Sequence, residues 1–226
     1  MKYTKILIEY PDYPDKFSRT ILVKGNPDLF KLATFYAYIL NTELYHCYYF
    51  ETEKIEYVMA PFMESRGLKW YKYLSKYNLS DLPNNFKFIY DTGENYEFNS
   101  TILGVVDYPS LCSFVLLDAK GQGIWEDDHH SLYALLSGKI DPNESKDTDD
   151  CHLPWNFDNE TFGDFFKEID VDKINETLGK DFSKILSKIR QGENEYIEAY
   201  NMSLKDLRPD YDLIKRLDQI KKNFEK

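Results

Sequence analysis

Carboxylates and imidazoles are the side chains from which metal sites and acid/base catalysts are built, and one stretch concentrates them. "GQGIWEDDHH", residues 121–130, runs Glu126, Asp127 and Asp128 straight into His129 and His130. A second acidic stretch, "YDTGENYEF" at 90–98, carries Asp91 and Glu94 beside Gly93. Acids next to a turn glycine ordinarily accept from turn amides. Acids ahead of a helix favour the positive end of its dipole, and Glu126–Asp128 precede the helical pattern "SLYALL". Were the two stretches to converge, four carboxylates would repel one another and favour a divalent cation. The candidate acidic site is therefore Asp91, Glu94, Glu126 and Asp127.

The histidines are poorer candidates. Neighbours on a helix point about 100° apart, so His129 and His130 suit one metal badly; the useful spacing is i, i+4. "DDCHLPW" adds Cys151 and His152, giving a Cys151, His152, His129 zinc set without a recognised ligand spacing. His46, within the aromatic run "LYHCYYFE", reads as a core histidine. No nucleophile elbow, phosphate-binding loop, dinucleotide-binding glycine turn or zincin helix occurs, so the chain shows no catalytic signature.

The elements that must carry these residues follow from periodicity. Residues 3–10 and 17–23 read as strands separated by a Pro11/Pro14 turn, although Tyr3, Ile6, Ile8 and Tyr10 alternate only loosely. A helix follows, with Asn26 as its cap, Pro27 in its first turn, and Leu29, Leu32, Ala33, Tyr36 and Leu40 on one stripe. Strands are expected at 44–51 and 54–60, a surface excursion with some helix at 61–80, and a strand-turn-strand at 85–106 with Gly93 at positive φ. A short helix at 131–139 ends at Gly138, a polar loop covers 141–150, and the pattern is helical from about 170. Leu213, Leu217, Ile220 and Phe224 form the last apolar stripe. The expected fold class is α+β, a mixed or antiparallel sheet with packed helices, over 1–175, with a helical extension over 176–226.

Charge is uneven. Residues 1–90 carry a net +2, residues 91–160 a net −12 and residues 161–226 a net −1. The acidic window repels phosphate backbones and suits cations or basic partners, so direct nucleic-acid binding is disfavoured. No apolar run approaches the roughly 20 residues of a membrane span. The N-terminus lacks a signal peptide's apolar block, and three widely spaced cysteines suit a reducing compartment, so a cytoplasmic protein is expected.

Five stretches in order resemble the plasmid pRiA4b ORF-3-like family, small proteins often found with mobile elements. "FSRTILVKGNPDLFKLATFYAYIL" is similar to its opening strand and helix, and "LYHCYYFE" to its His-x-x-Phe strand through His46, Tyr49 and Phe50. "FIYDTGENYEF" resembles its Tyr-Asp-Phe-Gly-Asp-x-Trp signature through Tyr90, Asp91, Gly93, Glu94 and Tyr96. "GQGIWEDDHHSLYALLSG" resembles its Gly-x-x-Pro-Pro-Glu-Asp-x-Gly-Gly segment through Glu126 and Asp127, with Ile124 and Trp125 in place of the prolines and His129 and His130 in place of the glycines. "WNFDNETFGDFFKEIDVDKINETL" resembles its closing stretch through Phe157, Asp158 and Phe162. The resemblance spans about 17–179 and implies a fold but no assigned activity. The sequence favours a non-catalytic protein-binding module with an acidic surface over a metal-assisted, hydrolase-like enzyme, with an acidic nucleic-acid mimic third. Partner identity and oligomeric state are not written in it.

Overall fold

The computed structural model describes residues 1–42, 44, 46–59, 70–144 and 161–206, with backbone only at 70–71 and 193–206. The fold is α+β. Strands β1 (Lys2–Glu9) and β2 (Ser18–Lys24) precede helix α1 (Leu29–Ile39). Then come β3 (Tyr48–Glu51), β4 (Ile55–Val58), β5 (Trp70–Tyr73), β6 (Asn85–Tyr90), β7 (Tyr96–Asp107) and β8 (Phe114–Lys120). Helices α2 (His129–Leu136) and α3 (Val171–Asp206) complete the described chain. The strands form one eight-stranded sheet in the order β5-β4-β3-β6-β7-β1-β2-β8. The β4/β5 pairing is parallel and the others are antiparallel.

The apolar residues of β1 divide between the two faces of the sheet, and its pairing with β7 is interrupted. The register with β7 jumps between Lys5, opposite Gly104, and Ile6, opposite Ile102, so Leu103 is an extra residue and Gly104 takes φ +122°. A bulge of this kind moves subsequent side chains of the strand that holds it, here β7, to the other face. Along β1 itself, plain alternation sends Ile6, Ile8 and Tyr10 into the main core under α1 and Tyr3 into a separate cluster with Leu22 and Val115.

Helix α1 covers the sheet centre. Its cap is Asp28, whose side chain accepts from Lys31 N, and not Asn26. Asn26 instead pairs through its amide with Ser80, accepting at 2.8 Å and donating at 2.9 Å. The residues at 70–81 form β5 and two turns of 3-10 helix; the rest of the expected 61–80 excursion lies outside the described residues. Strand β8 had no clear sequence signature because "FVLL" is apolar at successive positions, as in a strand covered on both faces. Its outer edge is closed by α3: Asn175 donates to Leu116 O and accepts from Leu116 N, both at 2.8 Å, much as a neighbouring strand would. The expected boundary at 175/176 falls inside α3, whose Leu178 and Phe182 belong to the main core; Phe182 packs edge-on against Phe35 and Phe114. Leu213–Phe224 lie outside the described residues, and among those described no helix is long and apolar enough to cross a membrane.

Candidate functional site

Strand register creates the site. In the β3/β6 pair, Tyr48 lies opposite Tyr90. The residues just before β3 therefore meet those just after β6, and Asp91 N donates to Cys47 O at 3.0 Å. His46 and Asp91 are thus neighbours although far apart in sequence. The third contribution comes from 121–128, which passes beneath the end of α1. Both glycines of "GQG" are required for that passage. A Cβ at Gly121, which has φ +71°, would meet the Phe165 ring at 2.5 Å. One at Gly123 would meet Asn41 Cβ at 2.5 Å and Leu40 O at 2.7 Å. Ile124 N donates to Leu40 O, and the buried Trp125 packs on Phe162 and Phe165. These anchors deliver Glu126 and Asp127.

The two acidic stretches meet, and they meet around His46. Its Nδ1 lies 3.5 Å from Asp91 Oδ1, and its Nε2 lies 3.5 Å from Glu126 Oε2 and 3.3 Å from Asp127 Oδ1. His46, Asp91 and Glu126 each offer one ligand atom, all within 4.8 Å of one another. Ligands about 2.1 Å from a shared ion stand at most about 4.2 Å apart, so a small closure makes a three-ligand site. Glu126 is 0% exposed and Asp91 3%. The His46 side chain is 21% exposed and that of Asp127 46%, so the mouth of the cluster lies on their side.

Asp91 Oδ1 accepts from Gly93 N at 2.9 Å and Glu94 N at 3.3 Å, which holds the carboxylate in place. The left-handed residues of this turn are Asp91, at φ +55°, and Asn95, at +59°; Gly93 is not one of them. Asp and Asn tolerate that region because their short polar side chains bond locally. Asp127 also has positive φ, +57°. Two non-glycine residues in this region at one cluster are a local cost that the surrounding structure must hold. Asp91 Oδ2 is buried without a hydrogen-bond partner.

The other candidates are employed elsewhere. Glu94 turns from the cluster: its Oε2 accepts from His129 N at 3.2 Å. Asp128 caps α2 by accepting from Ser131 N at 3.1 Å. His129 has both ring nitrogens engaged, Nδ1 at 2.9 Å from Glu94 O and Nε2 at 2.6 Å from Tyr10 Oη. A carbonyl can only accept, so Nδ1 carries the proton, and in the neutral ring Nε2 accepts from Tyr10. That engagement leaves His129 no nitrogen for zinc. His130 is exposed, and Cys151 and His152 lie outside the described residues. His46 and Tyr90 are the residues that sequence reasoning did not assign to the site. The run "LYHCYYFE" reads as strand throughout, yet β3 starts only at Tyr48 and leaves His46 in the connection from α1. Tyr90 Oη donates to Glu126 Oε1 at 2.9 Å, and burial, then the nearby Glu126 charge, holds its hydroxyl well above the ordinary tyrosine range.

The fold and cluster define an α+β protein with two buried carboxylates gathered about a partly exposed imidazole. No family model and no curated protein matches the chain. The fold is similar to that of a crystallised protein of unknown function, MM3350 from Methanosarcina mazei Go1, at 15% identity and a TM-score of 0.49 over 67% of this chain and 93% of that one.

Proposed function

We propose that the protein is a metal-assisted, hydrolase-like enzyme that binds a divalent transition-metal ion through His46, Asp91 and Glu126, with Asp127 at the mouth. What carries this reading is the Asp91 carboxylate, 3% exposed, one oxygen fixed by turn amides and the other without a hydrogen-bond partner, beside His46 and a fully buried Glu126. Buried carboxylates are retained when paired or when they coordinate a cation. One imidazole with two carboxylates suits manganese, iron, cobalt or zinc better than calcium, which prefers an all-oxygen shell. Three protein ligands and a partly exposed mouth match the pattern in which a metal keeps a position for water and lowers its pKa.

The protein-binding reading draws on the net −12 of residues 91–160. Within that window, however, Asp91 and Glu126 point inward, Glu94 and Asp128 hold backbone amides, and Glu97 pairs with Lys87 at 2.6 Å. These uses also leave fewer carboxylates for a surface that imitates nucleic acid. Membership of the pRiA4b ORF-3-like family is part of the proposal: His46, Tyr90, Asp91, Glu126 and Asp127, on which that resemblance partly rests, are the residues gathered here. A cytoplasmic setting accords with Cys112 as a free thiol.

Calorimetric titration of metal-free protein with Mn²⁺, Zn²⁺ and Mg²⁺ tests the reading. A transition metal is expected to bind with a sub-millimolar Kd and one ion per chain, and binding is expected to disappear in Glu126→Gln. Absence of sub-millimolar binding by the wild type overturns the enzyme reading. Capture of a partner by such a protein, unchanged in Glu126→Gln, then supports the adaptor.

A further inference from the structure

We infer that Tyr90 is a positioning residue that makes Glu126 a one-oxygen ligand, holding Oε1 by a hydrogen bond and leaving Oε2 for the ion; the inference rests on the metal reading above. A phenol has one proton to donate. The Thr42 side chain and the His46 backbone also act on the Tyr90 hydroxyl. An ionised carboxylate can only accept, so that proton is directed to Glu126 Oε1, 2.9 Å away. The remaining oxygen, Oε2, is the one 3.5 Å from His46 Nε2.

The ring that carries this hydroxyl is immobilised. It lies nearly parallel to Tyr48, with centroids 6.3 Å apart and planes at 15°, and edge-on to the His46 ring at 5.8 Å and 85°. One side chain therefore touches two ligands, Glu126 through its hydroxyl and His46 through its ring. Groups that orient metal ligands in this way typically change affinity 10–100-fold, that is by about one to two powers of ten, when removed.

Co²⁺ is the probe, titrated into metal-free full-length chain and followed by calorimetry and visible absorption. For Tyr90→Phe the Co²⁺ affinity is expected to fall about 10–100-fold. Its visible bands are expected to weaken as Glu126, freed to bind through both oxygens, raises the coordination number. Thr42→Val, which removes a hydroxyl that acts on that of Tyr90 and keeps the phenol, is expected to show a smaller change in the same direction. Thr42→Ser, which restores the hydroxyl, is expected to return both readouts to wild type. A Tyr90→Phe protein with wild-type Co²⁺ affinity and spectrum overturns the inference and leaves the metal reading standing. Should Tyr90→Phe fail to fold, an unchanged affinity and spectrum in Thr42→Val overturns it. A wild-type protein that binds no Co²⁺, Mn²⁺ or Zn²⁺ overturns both.

Discussion

Two buried charged centres flank the 121–128 segment, and they are built on opposite rules. On one side Arg19, 1% exposed, donates to Ile39 O at 2.8 Å, Ser18 O at 2.8 Å, Lys120 O at 2.6 Å and Gln122 O at 3.2 Å. Burial pushes its guanidinium down to about 9, which leaves it charged at neutral pH. A single positive charge is enclosed by neutral dipoles from β2, α1 and the end of β8. On the other side Asp91, Glu126 and Asp127 surround His46 at 3.3–3.5 Å, beyond ordinary hydrogen-bond lengths, and Asp91 Oδ2 is left over. The closed centre is structural: it staples the end of α1 to the loop that carries Glu126. The centre with the spare Asp91 oxygen is the one proposed to take an ion. Burial of charge alone thus says little about function; the balance of donors and acceptors around it distinguishes the two.

That contrast can be broken in four places. Arg19→Leu has the largest expected effect, since it strands several buried carbonyls together. Stability is expected to drop by about 3–5 kcal/mol in denaturant unfolding. A loss under about 1 kcal/mol would be no more than an ordinary hydrogen bond and would remove the structural role claimed for the cage.

Asp91→Asn is expected to act on the ligand and not on the fold. Asparagine keeps an acceptor for Gly93 N and Glu94 N and tolerates the left-handed backbone. Metal-free stability is expected to match or exceed wild type, because a buried charge has gone. Metal affinity is expected to fall at least 100-fold, about 2.7 kcal/mol. A large loss of metal-free stability would put Asp91 in the same structural class as Arg19.

His129→Phe removes the bonds to Tyr10 and to the Glu94 carbonyl and keeps a ring against Tyr96. It is expected to cost about 1–2 kcal/mol of stability. Metal affinity is expected to be unchanged, and a parallel loss of metal would return His129 to the site.

The last test is alkaline. Burial raises the hydroxyls of Tyr36, Tyr90 and Tyr96 above their ordinary value of 10.0. Above that pH the unfolded chain releases these protons and the folded chain retains them. Their stabilisation is complete below pH 10 and declines as pH rises, by up to about 1.4 kcal/mol per pH unit for each tyrosine. Arg19 opposes them, since between about 9 and its ordinary 12.5 the unfolded state binds the extra proton and stability rises with pH. Unfolding free energies are expected to decline from pH 10 to pH 11, with a shallower decline in Tyr90→Phe. Equal slopes in the two proteins would show that the Tyr90 proton is not held by the fold.

Legibility in the sequence followed the range of the interaction. Periodicity located α1, α2, the start of α3 and the strand pair on either side of Gly93, because these depend on neighbours a few residues away. Single-residue errors arose where a contact from elsewhere decided the matter. Asn26 is diverted by Ser80, so Asp28 caps α1. Asp91 and Asn95, not Gly93, take the left-handed conformation because side chain and backbone bonds favour it there. The acids at 91 and 126–127 stood out by type. His46 did not, since an imidazole in an aromatic run has the same appearance whether it faces a core or a cluster.

The sequence by itself determined which chemistry was available: carboxylates in two short stretches, an imidazole in a third, and glycines at 121 and 123 to let the chain through. It also determined the helix and strand periodicities that carry them. Only the tertiary structure decided that these groups converge. Pairing of Tyr48 with Tyr90 aligns the start of β3 with the end of β6, and the Arg19 cage fixes the 121–128 segment beside them. It also decided that His46, not His129, receives the acids, because Tyr10 and Glu94 occupy both nitrogens of His129. Register and long-range hydrogen bonding are properties of the assembled chain, and no local spacing encodes them.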